Sequence, residues 1–490
     1  ESFRYRASKF VRRHYAAVAT SVVAFLTLVA FSVALSVQNR IVVQERDTAR
    51  EISQFLEDVF MAQDPAQTRG ASVTADEILA TGAARIQQDL DDRPEIQSAL
   101  MGTIGRVYYN LGVYDKSSTL LDEALRLQEQ IAGAEAPEVA RLQNDLAETL
   151  IQIPDYDRAK TLLLDALKTN RQSGDTVSAP IAENLFHLAE LHLKLGDLDL
   201  AESYAMASVD TYAQLDAEHS IEFAESTNLL ARILQVRGDL DRTETLMLDA
   251  IDILAEAAGQ DHPKMAYYLQ NLGVLQHAKG DLAAAEITFG HALNTTERIF
   301  GDQHRLYAGV LRDQGLLLHA RGNLRAANGF LRDSLRIYEE TLGPDHPMVG
   351  YDLTALGRVL HDAGDLDDAE VVLRRAIVIY DAAFDGGHQY TASAMTELGA
   401  VLNSAGRSEE AEAVLIEALQ IRHRDYAVDH ELAVSTQTEY ADALLRLGRL
   451  SEAGPLLEQS VSVLRDRPGR RLDRAVAALQ RLQHLNSGGQ

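Results

Sequence analysis

The chain has 490 residues, of which 46 are Lys or Arg and 73 are Asp or Glu, and its formal net charge is −27. It contains no Cys, which excludes disulfides, thiol catalysis, cysteine-bound zinc and iron–sulfur clusters. Because so acidic a chain repels a phosphate backbone, we expect no nucleic-acid partner.

The N-terminal segment predicts a membrane anchor. Residues 1–14 hold five basic residues against one acid and are expected to face the cytoplasm, while residues 15–37 carry no charge over 23 residues. A helix of that length rises roughly 34 Å, enough to cross a hydrocarbon core of about 30 Å. A buried core helix or a cleaved signal peptide agrees less well with the length of the run and the basic cluster before it.

The next residues predict a stalk and a degenerate half-repeat. Apolar residues at helical spacing indicate an amphipathic stalk over 38–69, whose helix ends before Pro65. The capping-box pattern that starts at Thr74 predicts a helix over about 74–91, within a half-repeat at 70–93.

A 42-residue period dominates residues 94–470. Pro154 fills the single gap in a glycine grid. The grid glycines are Gly112, Gly196, Gly238, Gly280, Gly322, Gly364, Gly406 and Gly448. A small residue stands seven positions before each grid position, and small and aliphatic residues stand twelve and thirteen positions after it. This pattern predicts helix–turn–helix units in which the grid residue ends the first helix with positive φ.

One such helix pair cannot bury its own apolar face, so about nine pairs should stack into one all-α solenoid. Residues 471–490 then predict a lone capping helix, over about 471–485, and a loose tail. Histidines in the connections between pairs keep the 42-residue spacing, and we interpret them as helix caps rather than metal ligands. These are His262, His304, His346, His388 and His430.

The repeat consensus, clear in NLGVLQHAKGDLAAAEITFGHAL (271–293), resembles the tetratricopeptide repeat (TPR). The 42-residue unit and the Gly-x-Asp-His-Pro joint resemble the long-helix variant seen in kinesin light chain. The resemblance implies a right-handed α-solenoid whose first helices line a groove.

A second resemblance covers residues 1–130, which include RASKFVRRH, the apolar span, ERDTAREISQFLEDVF and TADEILATGAARI. These strings resemble the region that follows the kinase domain in bacterial transmembrane Ser/Thr protein kinases with C-terminal TPRs. The resemblance implies a cytoplasmic kinase before Glu1, one pass through the inner membrane and a periplasmic repeat domain. No Gly-rich loop, catalytic Lys strand or Asp-Phe-Gly occurs in this chain, so we assign no catalytic residue and expect ATP and Mg only with that preceding domain.

Three stripes on the first helices, at positions −10, −6 and −3 from the grid, predict a groove that binds an extended peptide or protein segment. Asn at −10 resembles the kinesin light chain groove, in which Asn side chains hold the peptide backbone. The candidate residues are Arg106, Asn144, Glu148, Glu190, Asn228, Arg232, Gln270, His277, His319, Arg358 and His361.

The alternative for these stripes is a solvated polar face without a ligand. A metal shared by His277, His319 and His361 is disfavoured, because neighbouring helices lie roughly 8–10 Å apart, whereas zinc requires each nitrogen within about 2.1 Å. A bolder hypothesis is that the three His sense pH, since unperturbed His titrates near pH 6.5.

The sequence therefore favours a non-catalytic, membrane-anchored interaction or sensor domain of a receptor Ser/Thr kinase. The alternative is a stand-alone membrane-tethered scaffold for envelope proteins. We expect no metal or cofactor in this chain, and either reading is compatible with a homodimer.

Overall fold

The computed structural model describes residues 75–90, 92–172, 177–384, 387–465 and 469–487, with the isolated residues His14 and Phe31. The chain forms two compact units, residues Glu1–Leu215 and Asp216–Gln490. The 42-residue grid continues through this boundary, so the period alone does not predict it.

The described part of the first unit contains only helices. They are α1 (Ala75–Asp89), α2 (Pro94–Asn110), α3 (Tyr114–Ala132), α4 (Pro137–Gln152), α5 (Tyr156–Gln172), α6 (Ala179–Leu195) and α7 (Leu198–Gln214). Helices α2 to α7 form three antiparallel pairs, and α1 packs against α2.

The described part of the second unit is likewise helical throughout. Its helices are α8 (Ile221–Arg237), α9 (Leu240–Ala258), α10 (Pro263–Lys279), α11 (Leu282–Phe300), α12 (Arg305–Ala320), α13 (Leu324–Leu342), α14 (Pro347–Ala363), α15 (Leu366–Ala383), α16 (Gln389–Ser404), α17 (Ser408–Asp425), α18 (Glu431–Arg446), α19 (Leu450–Leu464) and α20 (Arg470–Ser487). Six pairs, α8–α9 to α18–α19, stack in chain order, and α20 packs against the last pair.

The turns within and between pairs follow the predicted cap chemistry. Gly280 ends α10 with φ of 82°, a left-handed conformation that favours glycine because it has no Cβ. At the start of α14, Nδ1 of His346 accepts a hydrogen bond from the backbone N–H of Met348 at 3.2 Å. The other four connection His cap helices in the same way, so their interpretation as caps is confirmed.

Each pair is held together where a small residue of the first helix faces a large residue of the second. Position −7 contacts position +9 of the same pair. A Cβ added at Gly273 would lie 2.6 Å from Cε1 of Phe289, and one added at Gly357 would lie 2.5 Å from Cγ of Leu373. Phe289 and Leu373 are fully buried. The two helices can therefore approach closely only because one side chain at the crossing is minimal.

First helices of successive pairs also contact one another. In the first unit α2 contacts α4 and α4 contacts α6, and in the second unit the same relation links α10, α12, α14, α16, α18 and α20. First helices thus form a surface in each unit, continuous from α2 to α6 and from α10 to α20. We call the part of this surface formed by positions −13 to −2 the inner face.

The predicted membrane location requires a correction. Across the residues that the structure describes, no helix combines the length and apolar character needed to cross a bilayer. The longest described helices have 19 residues and are amphipathic, with charged residues along their exposed sides. This finding overturns the prediction of a single-pass inner-membrane protein with a periplasmic repeat domain. The predicted span at 15–37 and stalk at 38–69 lie outside the described residues, Phe31 excepted.

The crossing contact predicts opposite effects for two Gly→Ala changes in one helix pair. Gly273→Ala should lower the free energy of unfolding by about 1–2 kcal/mol, because overpacking against Phe289 outweighs the gain in helix propensity. Gly290→Ala, in α11, should raise it by about 0.5–1 kcal/mol, since no atom lies within 4 Å of an added Cβ. Urea unfolding followed by circular dichroism measures both. A gain in stability for Gly273→Ala would contradict the proposed role of this contact.

Candidate functional site

All the predicted groove residues lie on first helices and belong to the inner face. Four lie in the first unit, on α2, α4 and α6, and seven lie in the second unit, on α8, α10, α12 and α14. The structure does not gather them into one site, so each unit is described by itself.

A cleft of about 320 Å³ lies beside Asn144 in the first unit. Nδ2 of Asn170 donates to Oδ1 of Asn184 at 2.6 Å, and Nδ2 of Asn184 donates to Oδ1 of Asn144 at 2.7 Å. The cleft is also lined by the exposed side chains of Arg141 and Glu183. We call this the amide cleft, because a chain of three side-chain amides forms its floor.

A buried charged cluster lies one turn further along the inner face. Nδ1 of His187 is 3.5 Å from Oε2 of Glu190. Burial lowers the pKa of His187, but Glu190, Glu148 and Glu183 outweigh that effect and raise it to about 9. Burial and the neighbouring Glu148 also raise the pKa of Tyr109. His187 is therefore protonated at neutral pH, and it compensates the predicted residues Glu148 and Glu190.

In the second unit the first predicted residues are only partly engaged with protein groups. Asn228 is buried, and its Oδ1 has no hydrogen-bond partner among the described residues. Arg232 is half-buried near Tyr268. Nε2 of Gln270 donates to Oδ2 of Asp313 at 2.7 Å, so this amide is already used within the protein.

The three predicted His lie in successive pairs, and two of them, His319 and His361, share Asp362 as a neighbour. His277 is half-buried, and burial lowers its pKa. Nε2 of His319 donates to Oδ2 of Asp362 at 2.8 Å. His361 lies between Ser404 and Arg474, and its Nδ1 accepts from Arg474 at 2.9 Å. Burial and the adjacent Arg474 lower the pKa of His361 to about 4. His361 is therefore neutral at pH 5.5–7.5 and cannot take part in the predicted pH response. Among the described side chains, no group of three or more His, Asp or Glu could hold a metal ion.

Several predicted residues bridge one first helix to the next. Arg106 donates to Asp145 at 3.1 Å, 39 residues further along the chain. Arg358 donates to Glu397 at 2.9 Å over the same spacing. Both partners stand at position −9, which is not among the predicted stripes. An acidic column at −9 is visible in the sequence at Asp145, Asp313, Glu397 and Glu439.

The C-terminal helix α20 joins the inner face of the second unit. Ala478 and Leu482 pack into the same core cluster as Leu444 and Leu457. At its N-terminal end, Arg470 donates to both carboxylate oxygens of Glu397 at 3.1 Å and to Asp362 at 3.1 and 3.2 Å.

Arg474 extends this ion network from α20 to one more first helix, α18. It donates to Glu439 at 2.8 Å and lies beside His361. Burial alone would raise the pKa of Glu397, but Arg470, Arg358 and Arg474 hold it well below its usual range. The sequence pattern predicted α20 only as a capping helix, and no arginine of this helix was among the candidate site residues. The spacing of Arg470 and Arg474, one helical turn apart, could have indicated that they share one side of the helix.

A cleft of about 330 Å³ opens between α16, α18 and α20. We call it the arginine cleft. Its charged lining consists of Arg358, Arg422, Arg470, Arg471, Arg474, Glu397 and Glu431. Positive charge therefore predominates at one place in an acidic protein.

Comparison with known protein families identifies the repeats. Residues 242–484 match the MalT-like TPR region, residues 95–172 match a tetratricopeptide repeat, and residues 182–214 match a further tetratricopeptide repeat. The chain is a TPR-repeat protein. No curated protein matches it.

Among the solved structures similar to this chain, that of RapI supports the fold. RapI in its apo form is 14% identical, covers 75% of this chain and 97% of its own, and has a TM-score of 0.57. A Podosopora anserina chain described as a kinesin light chain with nearly identical TPR-like repeats is 20% identical over 42% of this chain and 99% of its own, with a TM-score of 0.35. A Rap protein complexed with Competence and Sporulation Factor is 12% identical over 72% of this chain and 99% of its own, with a TM-score of 0.46.

The predicted TPR architecture is thus confirmed, and the described part of each unit is an all-helical stack of TPR-type pairs. The TPR is a protein-interaction fold, which agrees with the predicted class of function. The choice of groove residues stays a prediction.

The protonated His187 predicts a specific pH dependence of stability. Because its folded pKa of about 9 exceeds the unfolded value near 6.5, its contribution is fully present below pH 6.5 and is lost as pH rises through 9. The free energy of unfolding of the wild type, reported by its urea midpoint, should therefore fall over this interval by an amount on the order of 2–3 kcal/mol. In His187→Gln this decrease should be absent. His219→Gln, at an exposed His, serves as the control and should keep the wild-type slope. Equal slopes for wild type and His187→Gln would show that the cluster does not bind the extra proton.

Proposed function

We propose that this chain is a non-catalytic interaction module whose inner face binds an extended peptide or protein segment. The observation that carries the proposal is the amide cleft of the first unit. Its volume of about 320 Å³ is lined by Asn144, Asn170 and Asn184 and borders on exposed charged side chains. No cofactor is needed for this function, and the absence of one stays a prediction.

Side-chain amides suit the backbone of an extended chain. Each amide offers two donors and one acceptor oxygen, so it can pair with peptide N–H and C=O groups without demanding a sequence. The hydrogen bonds from Asn170 to Asn184 and from Asn184 to Asn144 fix the orientation of these amides before a ligand arrives. Arg141 and Glu183 at the rim add charges of opposite sign, which favour a ligand with a particular orientation.

Other parts of the inner face are explained better by a polar face without a ligand than by peptide binding. Arg106, Gln270 and Arg358 are engaged with carboxylates of neighbouring first helices. These residues stabilise the stacking of pairs. The proposed binding surface is therefore narrower than the predicted stripes and is centred on the amide cleft.

Removal of two amides tests the proposal. Peptides selected from a random phage-displayed library against the whole chain should bind Asn144→Ala/Asn184→Ala about tenfold more weakly, because one or two hydrogen bonds to the backbone are lost. Gln130→Ala, exposed on the second helix α3, should bind them as the wild type does. Fluorescence anisotropy measures the affinities, and circular dichroism confirms that the variants fold.

Equal affinity of wild type and the double variant would place the selected peptides elsewhere on the molecule. A library that yields no binding peptide would also count against the proposal.

A second proposal concerns the parent protein. We propose that a Ser/Thr kinase domain precedes this chain, and its support is the resemblance of residues 1–130 to the region that follows such domains. The coding sequence upstream of Glu1 tests it. Absence of a kinase domain there would refute it and would leave a stand-alone scaffold as the function.

A further inference from the structure

Arg422 is a buried cation without a carboxylate partner in the part of the chain that the structure describes. It lies in the last turn of α17, and only 2% of its surface is exposed. Its Nη1 donates to Oε1 of Gln389 at 2.6 Å and its Nη2 donates to Oγ of Ser393 at 2.7 Å, and both acceptors are neutral. Its Nε has no hydrogen-bond partner among the residues that the structure describes.

The other arginines of the arginine cleft differ from Arg422 in this respect. Arg358 and Arg470 share Glu397, and Arg474 contacts Glu439. Arg471 is 3.0 Å from Glu431 and keeps 44% of its side chain exposed. A buried charge that lacks such a partner is strongly unfavourable. Burial, reinforced by the positive charge of Arg471, lowers the pKa of Arg422 to about 10. This direction agrees with a buried cation that no nearby carboxylate stabilises.

Hydroxyl groups complete the lining beside Arg422. Ser393, Thr396, Ser435 and Thr436 all border the cleft, together with the arginines. Hydroxyl groups and guanidinium groups are the donors that bind carboxylate and phosphate oxygens. The volume of about 330 Å³ leaves room for such a group.

We propose that the arginine cleft is an oxyanion site in which Arg422 and Arg471 bind a carboxylate or phosphate group. The group belongs either to a free small anion or to an acidic side chain of a peptide segment. The site is formed by α16, α17, α18 and α20, all in the second unit. It is independent of the amide cleft, so the two proposals can fail separately.

Isothermal titration calorimetry of the whole chain at low salt tests the site with three probes. Inorganic phosphate represents a free anion, and a tetraglutamate peptide with blocked ends represents acidic side chains. The matching tetraglutamine peptide controls for backbone binding. We expect phosphate, the tetraglutamate peptide or both to bind, and the tetraglutamine peptide not to bind.

Arg422→Gln should weaken this binding at least tenfold, because it removes the buried cation that has no carboxylate partner among the described residues. Arg336→Gln, an exposed arginine of α13 outside the cleft, should bind as the wild type does. If circular dichroism shows that Arg422→Gln does not fold, binding to Arg471→Gln tests the site instead, because Arg471 is exposed and its replacement should not disturb the fold. Binding to Arg471→Gln should be weaker than to the wild type, because Glu431 is left to repel the anion.

Binding of phosphate alone would identify the ligand as a free anion, and binding of tetraglutamate alone would identify it as a peptide segment. Either result, with the expected loss in the folded variant, supports the site. Failure of both probes to bind, or unchanged binding by the variant, would overturn it.

Discussion

The close crossing of two helices within each pair is the contact on which the rest of this protein depends. A small residue at position −7 lets the first helix approach the large side chain at position +9 of the second, as Gly273 and Phe289 show. This approach buries the apolar side of both helices and leaves the polar side of each first helix for other contacts. The polar side of each first helix forms the inner face because its apolar side is buried at the crossing.

The polar groups of the inner face divide between stacking and recognition. Where a side chain finds a partner on the next first helix, as Arg106 finds Asp145, it stabilises the array. Beside the inner face, Arg422 on the second helix α17 has a buried Nε without a hydrogen-bond partner among the described residues, and we propose that it binds a ligand. This difference locates the two clefts within a surface that is polar almost everywhere.

The architecture could be predicted from the sequence because each element of the period has a local physical cause. Positive φ at Gly280 and the capping by His346 depend on one residue and its neighbours, so they repeat wherever the residue repeats. The arginine cleft could not be predicted in this way. Arg470 contacts Asp362 across 108 residues, and no spacing rule connects a terminal helix with a pair that far upstream. Likewise, the protonation of His187 depends in part on Glu148, a carboxylate of another pair that approaches it only after stacking.

The reach of α20 restricts how the array can change in length. Its arginines contact α14, α16 and α18 at once, so a pair duplicated between α18 and α20 would separate groups that now meet. A duplication within the second unit but upstream of α14 would leave every one of those contacts in place. We therefore expect added or lost pairs to leave these contacts intact towards the N-terminal side of this unit and to break them within its final three pairs.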